Sequence, residues 1–230
     1  MQYVINDLKR LWGRVAANER WYEHHWLGVP IWQLPEDLIR LQEICFEVQP
    51  DWIVETGTKF GGSAIFFASL LELTGKRQGG VITLDIFSTT EAKETFAEHP
   101  LRHYVKKVLV GDASDASAGE QVGNTLGANP GKVLVFLDDN HNADHVYREM
   151  VMYAPFVSPG SYMIVADTIF QDLAGTPVGA STDKYPDVAS SNPRVAASRF
   201  LEERDDFERD SRFMEKGVGN FPDGFLKKIS

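Results

Sequence analysis

The stretch DWIVETGTKFGGSAIFFASLLELTG, residues 51–75, predicts a buried strand, a glycine turn and a helix. Residues 51–56 are nearly continuous in apolar and β-branched side chains, as is typical of a strand covered on both faces. A helix is predicted over 61–75. Gly57 and Gly61 lie at the turn between them, where glycine lets the backbone turn tightly and approach a ligand closely. A strand, a turn and a helix in this order indicate one unit of a parallel α/β sheet.

The alternation of strand and helix patterns continues along the chain. The further strands are predicted over 80–86, 106–112, 132–138 and 161–167, and further helices over 117–127 and 143–157. Such alternation predicts an α/β fold with a mostly parallel, doubly wound sheet. Residues 198–210 predict a helix followed by a short strand, and 224–230 predict a last strand. These two strands can pair antiparallel, so we expect an antiparallel C-terminal edge.

Composition and charge limit the classes of function. The chain has 230 residues, which suits one domain, and 43% hydrophobic residues are enough for a sizeable core. A formal charge of −10 argues against a broad nucleic-acid surface. No apolar run approaches the roughly 18 residues of a membrane span, and residues 1–26 carry no signal-peptide apolar block. Cys45 is the single cysteine, so an intrachain disulfide is excluded and a reducing compartment fits. We predict a cytoplasmic protein with no membrane or nucleic-acid partner.

Most of the predicted strands end in a carboxylate. The residues are Glu55, Asp85, Asp112, Asp138 and Asp167. In open α/β sheets, ligands bind outside the carboxyl ends of the strands. Five carboxylates at one edge predict a negative rim that favours a cationic ligand, a metal ion, or both.

The first glycine turn does not match the nucleotide-binding motifs. A dinucleotide fingerprint needs a glycine where Lys59 stands, and a phosphate-binding loop needs Gly-Lys-Ser/Thr, whereas this turn ends in Gly62-Ser63. Glu55, just before the turn, would repel a pyrophosphate and would suit an ammonium group instead.

An acidic residue before G-x-x-x-G, with Asp85 ending the next strand, resembles the S-adenosylmethionine site of Rossmann-like methyltransferases. The resemblance implies Glu55 near the methionine moiety and the 57–61 turn under the cofactor. It also implies Asp85 on the ribose hydroxyls and Asp112 by the adenine amine. The candidate cofactor-binding residues are Glu55, Gly57, Thr58, Phe60, Gly61, Ser63, Asp85 and Asp112.

The stretch VFLDDNHNADHV, residues 135–146, concentrates acidic and histidine side chains after a strand. Asp138 and Asp167 end neighbouring strands, so their oxygens can converge on Mg²⁺. His141, three residues after Asp138, is the candidate general base, because a metal lowers the pKa of a bound hydroxyl and a neutral imidazole can take the proton. His145 lies one helical turn further and could share this face. The alternatives are a polar turn for the stretch, and solvation or a backbone hydrogen bond for His145.

Three segments carry a more specific resemblance. They are EHHWLGVPIWQLPEDLIRLQEICFEVQPDWIVETGTKFGGSAIFFASLL, FLDDNHNADHVYREMVMYAPFVSPGSYMIVADT and GFLKKI. Together they resemble the cephalosporin hydroxylase family, methyltransferase-fold proteins that include macrolide-sugar and rhamnosyl O-methyltransferases. The resemblance covers roughly residues 21–167 and the last strand. It implies Mg²⁺ on Asp138 and Asp167, His141 as general base, frequent homo-oligomers, and a segment 24–30 that reaches toward the pocket.

One position departs from the family pattern. Members usually carry Glu-Asp at the end of the fifth strand, whereas this chain has Ala166-Asp167. Catechol-type O-methyltransferases also have Ala there but follow the Asp with Asn, where this chain offers Thr168. One expected metal ligand is therefore missing, and Asp139 or water could complete the shell.

The leading hypothesis is an S-adenosylmethionine- and Mg²⁺-dependent O-methyltransferase that acts on a hydroxyl of a sugar or natural product. An oxygenase with iron on His141, His145 and Asp138 is a second interpretation. A non-catalytic or structural binding protein, motivated by Ala166, is a third. We divide the chain into a helical and aromatic extension (1–35), with substrate or oligomer contacts, and a cofactor-binding domain (36–230).

Two further features bear on the substrate. Residues 168–193 form a long Gly/Pro/Ser/Asp-rich loop, and such loops are usually functional, so we expect this one to cover the substrate. The aromatic cluster of Trp21, Tyr22, Trp26 and Trp32 could wall the pocket or pack one protomer on another.

Overall fold

A computed structural model describes residues 23–176, 179–213 and 219–230. The predictions made for Trp21 and Tyr22, and for residues 1–22 as a helical segment, lie outside the described residues. Within the described ranges, no helix has the length and apolarity to cross a membrane.

The described chain contains a seven-stranded sheet and a separate two-stranded hairpin. The strands are β1 His25–Trp26, β2 Val29–Pro30, β3 Trp52–Thr56, β4 Gly80–Asp85, β5 Val105–Val110, β6 Val133–Leu137, β7 Tyr162–Val165, β8 Phe207–Arg209 and β9 Phe225–Lys228. The large sheet has the order β5-β4-β3-β6-β7-β9-β8. Strands β3 to β7 pair in parallel, whereas β9 is antiparallel to both β7 and β8. The prediction of a mostly parallel sheet with an antiparallel C-terminal edge is confirmed.

Helices cover both faces of this sheet. They are α1 Pro35–Val48, α2 Gly62–Leu73, α3 Thr90–Glu98, α4 Ala116–Leu126, α5 Ala143–Tyr153, α6 Phe170–Leu173 and α7 Pro193–Glu202. Buried side chains of α1 and α2 belong to one apolar cluster, and those of α4, α5 and α7 belong to another. The sequence analysis did not predict α3, whose charged composition hides its short buried face.

The central strand β6 shows why the sequence lacks an alternating pattern here. All five of its residues are buried. Leu134 and Phe136 pack into the cluster with α1 and α2, while Val133, Val135 and Leu137 pack into the opposite one. Successive side chains of a strand point to opposite faces, so a strand covered on both sides is apolar throughout.

The strands end slightly earlier than predicted. Asp85 is the last residue of β4, but Asp112, Asp138 and Asp167 lie beyond their strands, and Glu55 lies inside β3. Asp167 has a φ of 54°, in the left-handed region that few non-glycine residues adopt. The chain therefore turns sharply at Asp167, directly after the end of β7.

The described part of the N-terminal extension is a hairpin, not a helix, because β1 and β2 pair antiparallel. Trp26 packs against Phe66 of α2 with ring centroids 4.9 Å apart, and its Nε1 donates a hydrogen bond to Ser69 Oγ at 3.1 Å. Trp26 thus fixes the hairpin to α2. This role is neither of the two considered for the aromatic cluster, which were to wall the pocket or to pack one protomer on another.

We predict that Gly57→Ala destabilises the protein more than Gly75→Ala. Both glycines have a positive φ, 91° and 73°. A Cβ at Gly57 would lie 2.2 Å from the carbonyl oxygen of Asp138, whereas a Cβ at Gly75 would meet nothing within 4 Å. Backbone strain alone costs roughly 1–3 kcal/mol, so Gly75→Ala should lower the Tm by a few degrees. Gly57→Ala adds displacement of the turn after β6. Equal Tm losses in thermal unfolding would contradict this account.

Candidate active site

A cavity of about 400 Å³ opens at the carboxyl edge of the parallel strands. It is lined by the turn after β3, by the ends of β4 and β6, and by residues after β7. The predicted site residues that line it are Gly57, Thr58, Phe60, Ser63, Asp85, Asp138, His141 and Asp167. Glu55, Gly61 and Asp112 are not among its lining residues. Most of the predicted site is thus brought together, although these residues are far apart in the chain.

The turn between β3 and α2 is fixed to the end of β4. The backbone N–H of Lys59 donates a hydrogen bond to Asp85 Oδ2 at 2.8 Å, and that of Gly57 donates to the Leu84 carbonyl at 2.8 Å. Gly61 has a φ of 87° and precedes the first residue of α2. The glycines therefore serve the tight turn, and the turn orients the Asp85 carboxylate at the cavity.

Glu55 lies below the cavity floor. Its side chain is fully buried, and Thr83 Oγ1 donates a hydrogen bond to Glu55 Oε2 at 2.7 Å. Burial raises the pKa of Glu55 to about 7, against the opposing effect of the Ser63 and Thr83 side chains. The edge of the sheet therefore carries less negative charge at neutral pH than five carboxylates would suggest.

Asp138 and Asp167 form the acidic centre of the cavity. Burial raises the pKa of both carboxyls, and the charge of Asp167 raises that of Asp138 further. Gln33 Nε2 donates a hydrogen bond to Asp138 Oδ2 at 2.6 Å, while Gln33 Oε1 is buried without a hydrogen-bond partner. Carboxylate and amide oxygens are the ligands that hard divalent cations prefer. These residues therefore fit a bound Mg²⁺.

The substitutes considered for the missing family ligand are directed elsewhere. Thr168 is buried, and its hydroxyl donates a hydrogen bond to the Pro222 carbonyl. Asp139 lines the cavity, but its Oδ2 lies 3.2 Å from His145 Nε2. Ala166 is buried in the apolar cluster with α1 and α2. Gln33, whose side-chain oxygen is free to bind a cation, was not predicted from the sequence. The only sequence signal for it was its position just after the segment 24–30, which was expected to reach toward the pocket.

His141 is enclosed by aromatic rings at the cavity wall. Its Nε2 lies 3.4 Å from Asp167 Oδ2. Its ring stacks on Phe170 at 4.7 Å and lies 5.1 Å from Tyr185, both from the predicted loop 168–193. Burial lowers the pKa of His141, while the charge of Asp167 opposes this shift. The ring is therefore neutral at neutral pH and can accept a proton.

His145 does not share this environment. Its Nε2 lies 3.2 Å from Asp139 Oδ2 and 3.9 Å from Asp112 Oδ1, and the residue does not line the cavity. The expectation of solvation or a backbone hydrogen bond is wrong, because a carboxylate holds the ring. The iron site drawn from His141, His145 and Asp138 is not assembled in this arrangement.

Solved structures share this architecture. A CmcI structure described as containing Mg and SAM has a TM-score of 0.64 and 19% identity, with 91% of this chain and 78% of that chain covered. The O-methyltransferase TomG from Streptomyces achromogenes, described in complex with SAM, has a TM-score of 0.55 and 20% identity over 84% of this chain and 80% of that one. The fold is that of Rossmann-like S-adenosylmethionine-dependent methyltransferases.

Sequence comparison narrows this class to a family. The family described as Rhamnosyl O-methyltransferase/CmcI matches residues 18–229, and the chain belongs to it. The rhamnosyl O-methyltransferase of Mycobacterium tuberculosis (strain ATCC 25618 / H37Rv) is 27% identical over 212 residues, covering 91% of this chain and 80% of that protein. The corresponding protein of Mycobacterium leprae (strain TN) is 29% identical over 162 residues, 70% of this chain and 66% of that protein. The predictions of the family and of an S-adenosylmethionine-dependent O-methyltransferase are confirmed.

Proposed function

We propose that this enzyme methylates a hydroxyl of a sugar or natural product, with His141 as general base and a divalent cation on Asp138 and Asp167. The observation that carries the proposal is His141 Nε2, 3.4 Å from Asp167 Oδ2 in the cavity that Asp85 and Asp138 also line. A neutral base, a carboxylate pair and a glycine turn at one sheet edge are the parts that metal-assisted methyl transfer requires.

The cofactor would lie along the turn after β3. Gly57, Thr58, Phe60, Ser63 and Asp85 line the cavity there, and we propose that the Asp85 carboxylate accepts hydrogen bonds from the ribose hydroxyls. When bound, S-adenosylmethionine supplies an electrophilic methyl group, and Mg²⁺ lowers the pKa of an acceptor hydroxyl. Glu55, Gly61 and Asp112 do not line the cavity, and we propose that they support the cofactor site from its surroundings. Glu55 and Gly61 lie on either side of the turn after β3, and Asp112 follows β5.

The residues of the chain would act on the acceptor in a simple order. Asp138 and Asp167 would hold the cation, and Gln33 orients Asp138 through its hydrogen bond. The Nε2 atom of His141 lies 3.4 Å from Asp167 Oδ2, on the side where the cation would be held, so an unprotonated Nε2 would accept the hydroxyl proton while Nδ1 carries the proton of the neutral ring. Phe170 and Tyr185 exclude water from that ring, which keeps it neutral.

The lining of the cavity supports a hydroxylated organic acceptor. Trp32 and Phe60 contact each other edge to face, with ring centroids 5.3 Å apart, and Phe170 and Tyr185 lie near His141. Aromatic faces pack against sugars and polyketide-like scaffolds, while Asn220 and Lys184 add polar groups to the wall. The names of the mycobacterial relatives support a sugar hydroxyl. Homo-oligomer formation and cytoplasmic location remain predictions.

Calorimetry and a transfer assay together test the proposed function. S-adenosylmethionine is titrated into the protein with and without Mg²⁺, and transfer of a labelled methyl group is then measured on a panel of rhamnosides, other glycosides and phenols. We expect binding in both titrations and Mg²⁺-stimulated transfer to at least one acceptor. Binding with no transfer to any member would favour the non-catalytic interpretation that Ala166 motivated.

Asp85→Ala should weaken the binding of S-adenosylmethionine by about 2 kcal/mol, roughly 30-fold, because hydrogen bonds to a charged group are worth this much. The substitution also removes the acceptor for the Lys59 N–H, so the turn itself is loosened. Glu94→Gln is the matched control, an exposed acidic residue on α3. Unchanged affinity of Asp85→Ala in calorimetry would remove Asp85 from the cofactor site.

A further inference from the structure

A second cluster of acidic and histidine side chains adjoins the cavity, and one of its members, Asp139, also lines the cavity next to Asp138. Asp139, His145 and Glu149 each offer one ligand atom, and these atoms all lie within 4.8 Å of one another. His145 Nε2 is 3.2 Å from Asp139 Oδ2 and 3.6 Å from Glu149 Oε2. His145 and Glu149 are four residues apart on α5, so they share one face of the helix.

The carboxylates of this cluster lack the partners that buried charges require. Glu149 is fully buried, and neither Oε1 nor Oε2 has a hydrogen-bond partner among the described residues. Asp139 Oδ1 is also buried without one. Leaving a carboxylate buried and unpaired is costly, and pairing it or coordinating a metal removes that cost.

The charges around the cluster are unbalanced. The ion pairs described for Asp139 and Glu149 are both with His145, and Asp112 Oδ1 also lies 3.9 Å from the same ring. Burial raises the pKa of Glu149 and the charge of Asp139 raises it further, so a cation that binds here would displace a proton from this carboxyl group. Thr56 and Tyr153 are the uncharged groups that face Glu149, and the charge of Arg148 acts on Asp112 and not on Glu149. A cation of higher charge would balance the site.

We propose that Asp139, His145 and Glu149 bind a divalent transition-metal ion at a site separate from Asp138 and Asp167. Ligand atoms about 2.1 Å from a metal stand roughly 3–3.5 Å apart. The distances of 3.2 and 3.6 Å from His145 Nε2 are close to this range, and the distance between the two carboxylate oxygens, at most 4.8 Å, would shorten when the ion binds. An imidazole nitrogen with two carboxylate oxygens suits zinc, manganese, iron or cobalt, whereas Mg²⁺ prefers oxygen ligands alone. His145 would bind through Nε2, with its proton on Nδ1.

The position of this site suggests a structural role. Asp139 belongs to the turn after β6, and His145 and Glu149 belong to α5, so a bound ion would tie the turn to the helix. His141 lies in the chain between Asp139 and His145. The ion would therefore hold the segment that presents the proposed base. Metal binding at this site can be measured without an assay of methyl transfer, so the inference does not rest on the proposed function.

Cobalt(II) titration tests the proposal, because Co²⁺ bound to an imidazole gives a visible absorption spectrum that reports its ligands. The protein is stripped with a chelator and carries Asp138→Asn and Asp167→Asn, which remove the other pair of carboxylates. We expect one equivalent of Co²⁺ to bind. Adding His145→Ala should abolish the Co²⁺ spectrum, and adding Glu149→Gln should weaken Co²⁺ binding at least tenfold. His103 is an exposed histidine, so adding His103→Ala should change neither the spectrum nor the affinity.

Thermal unfolding separates loss of binding from loss of fold. Glu149→Gln keeps the shape of the side chain and replaces a buried carboxyl group whose pKa is raised by a group that cannot ionise, so the metal-free Tm should not fall. The protein with only Asp138→Asn and Asp167→Asn is the parent of these variants. Co²⁺ should raise the Tm of this parent but not the Tm of the variant that also carries Glu149→Gln. The proposal is overturned if the parent binds no Co²⁺, or if His145→Ala binds it with unchanged affinity and spectrum. It is also overturned if Co²⁺ binds only when Asp138 and Asp167 are both intact.

Discussion

Replacing His141 with Gln is expected to lower the rate of methyl transfer by about 10²–10⁴-fold, the usual cost of losing a general base. The affinity for S-adenosylmethionine should stay near that of the wild type, because the ring faces Asp167 and the aromatic loop residues, not the turn after β3. His103→Gln, at an exposed histidine far from the cavity, is the matched control and should retain full activity. Steady-state rates with an acceptor that the wild type methylates give the rate of transfer. Calorimetry gives the affinity for S-adenosylmethionine.

The pH dependence of the wild type provides an independent check on the same residue. Below the pKa of His141 the ring is protonated and cannot accept a proton, so the rate should rise as pH increases through that pKa. Because burial lowers the pKa of His141, the rising limb should lie at more acidic pH than the unperturbed value of about 6.5. If His141→Gln keeps the same rising limb and loses less than about tenfold in rate, the proton leaves by another route.

Asp138→Asn and Asp167→Asn are each expected to abolish stimulation by Mg²⁺, because each removes a carboxylate from the pair in the cavity that we propose as cation ligands beside His141. Rates measured against Mg²⁺ concentration provide the test. Asp115→Asn, at an exposed carboxylate before α4, serves as the control. Activity of the wild type that survives exhaustive chelation would contradict the metal assignment, and Ala166 would then be the simplest reason.

The same two variants should keep or raise the Tm of the metal-free protein. Burial raises the pKa of both carboxyls in the folded state. The folded protein therefore holds protons more tightly than the unfolded chain, and its stability falls as pH rises from the ordinary Asp pKa toward the raised one. Asn carries no charge, so it avoids this loss at neutral pH. A large fall in Tm would mean that the carboxylates serve the fold instead of a cation.

The fold could be predicted because its evidence is local. β6 is apolar at every position, and the turn at Gly57 and Gly61 separates a strand from a helix. The pattern of apolar residues and the positions of the glycines were therefore sufficient to predict the α/β fold. Asp138, His141 and Asp167 could be predicted because the carboxyl ends of parallel strands meet at one edge of the sheet. Charge states could not, since the burial that raises the pKa of Glu55 to about 7 depends on the packing of the whole sheet.

The residues that the sequence analysis missed come from segments without periodic structure. Gln33 reaches Asp138 from a position 105 residues earlier, Phe170 reaches His141 from the one-turn helix α6, and Tyr185 reaches it from irregular chain further on. No spacing rule places such residues, because their contacts are set by how the hairpin and the loop fold over the sheet. His145 was misjudged for a related reason, since its partner Asp139 is set by the turn between β6 and α5.

Transfer of a labelled methyl group from S-adenosylmethionine by the wild type and by His141→Gln, on the same acceptor panel, tests the central claim most directly. The account predicts Mg²⁺-stimulated transfer to a hydroxyl by the wild type. It also predicts a loss of about 10²–10⁴-fold in the variant, with cofactor affinity unchanged in the same preparations. Equal rates of transfer by the two proteins, or a wild type that binds the cofactor and methylates no hydroxyl on the panel, would contradict it.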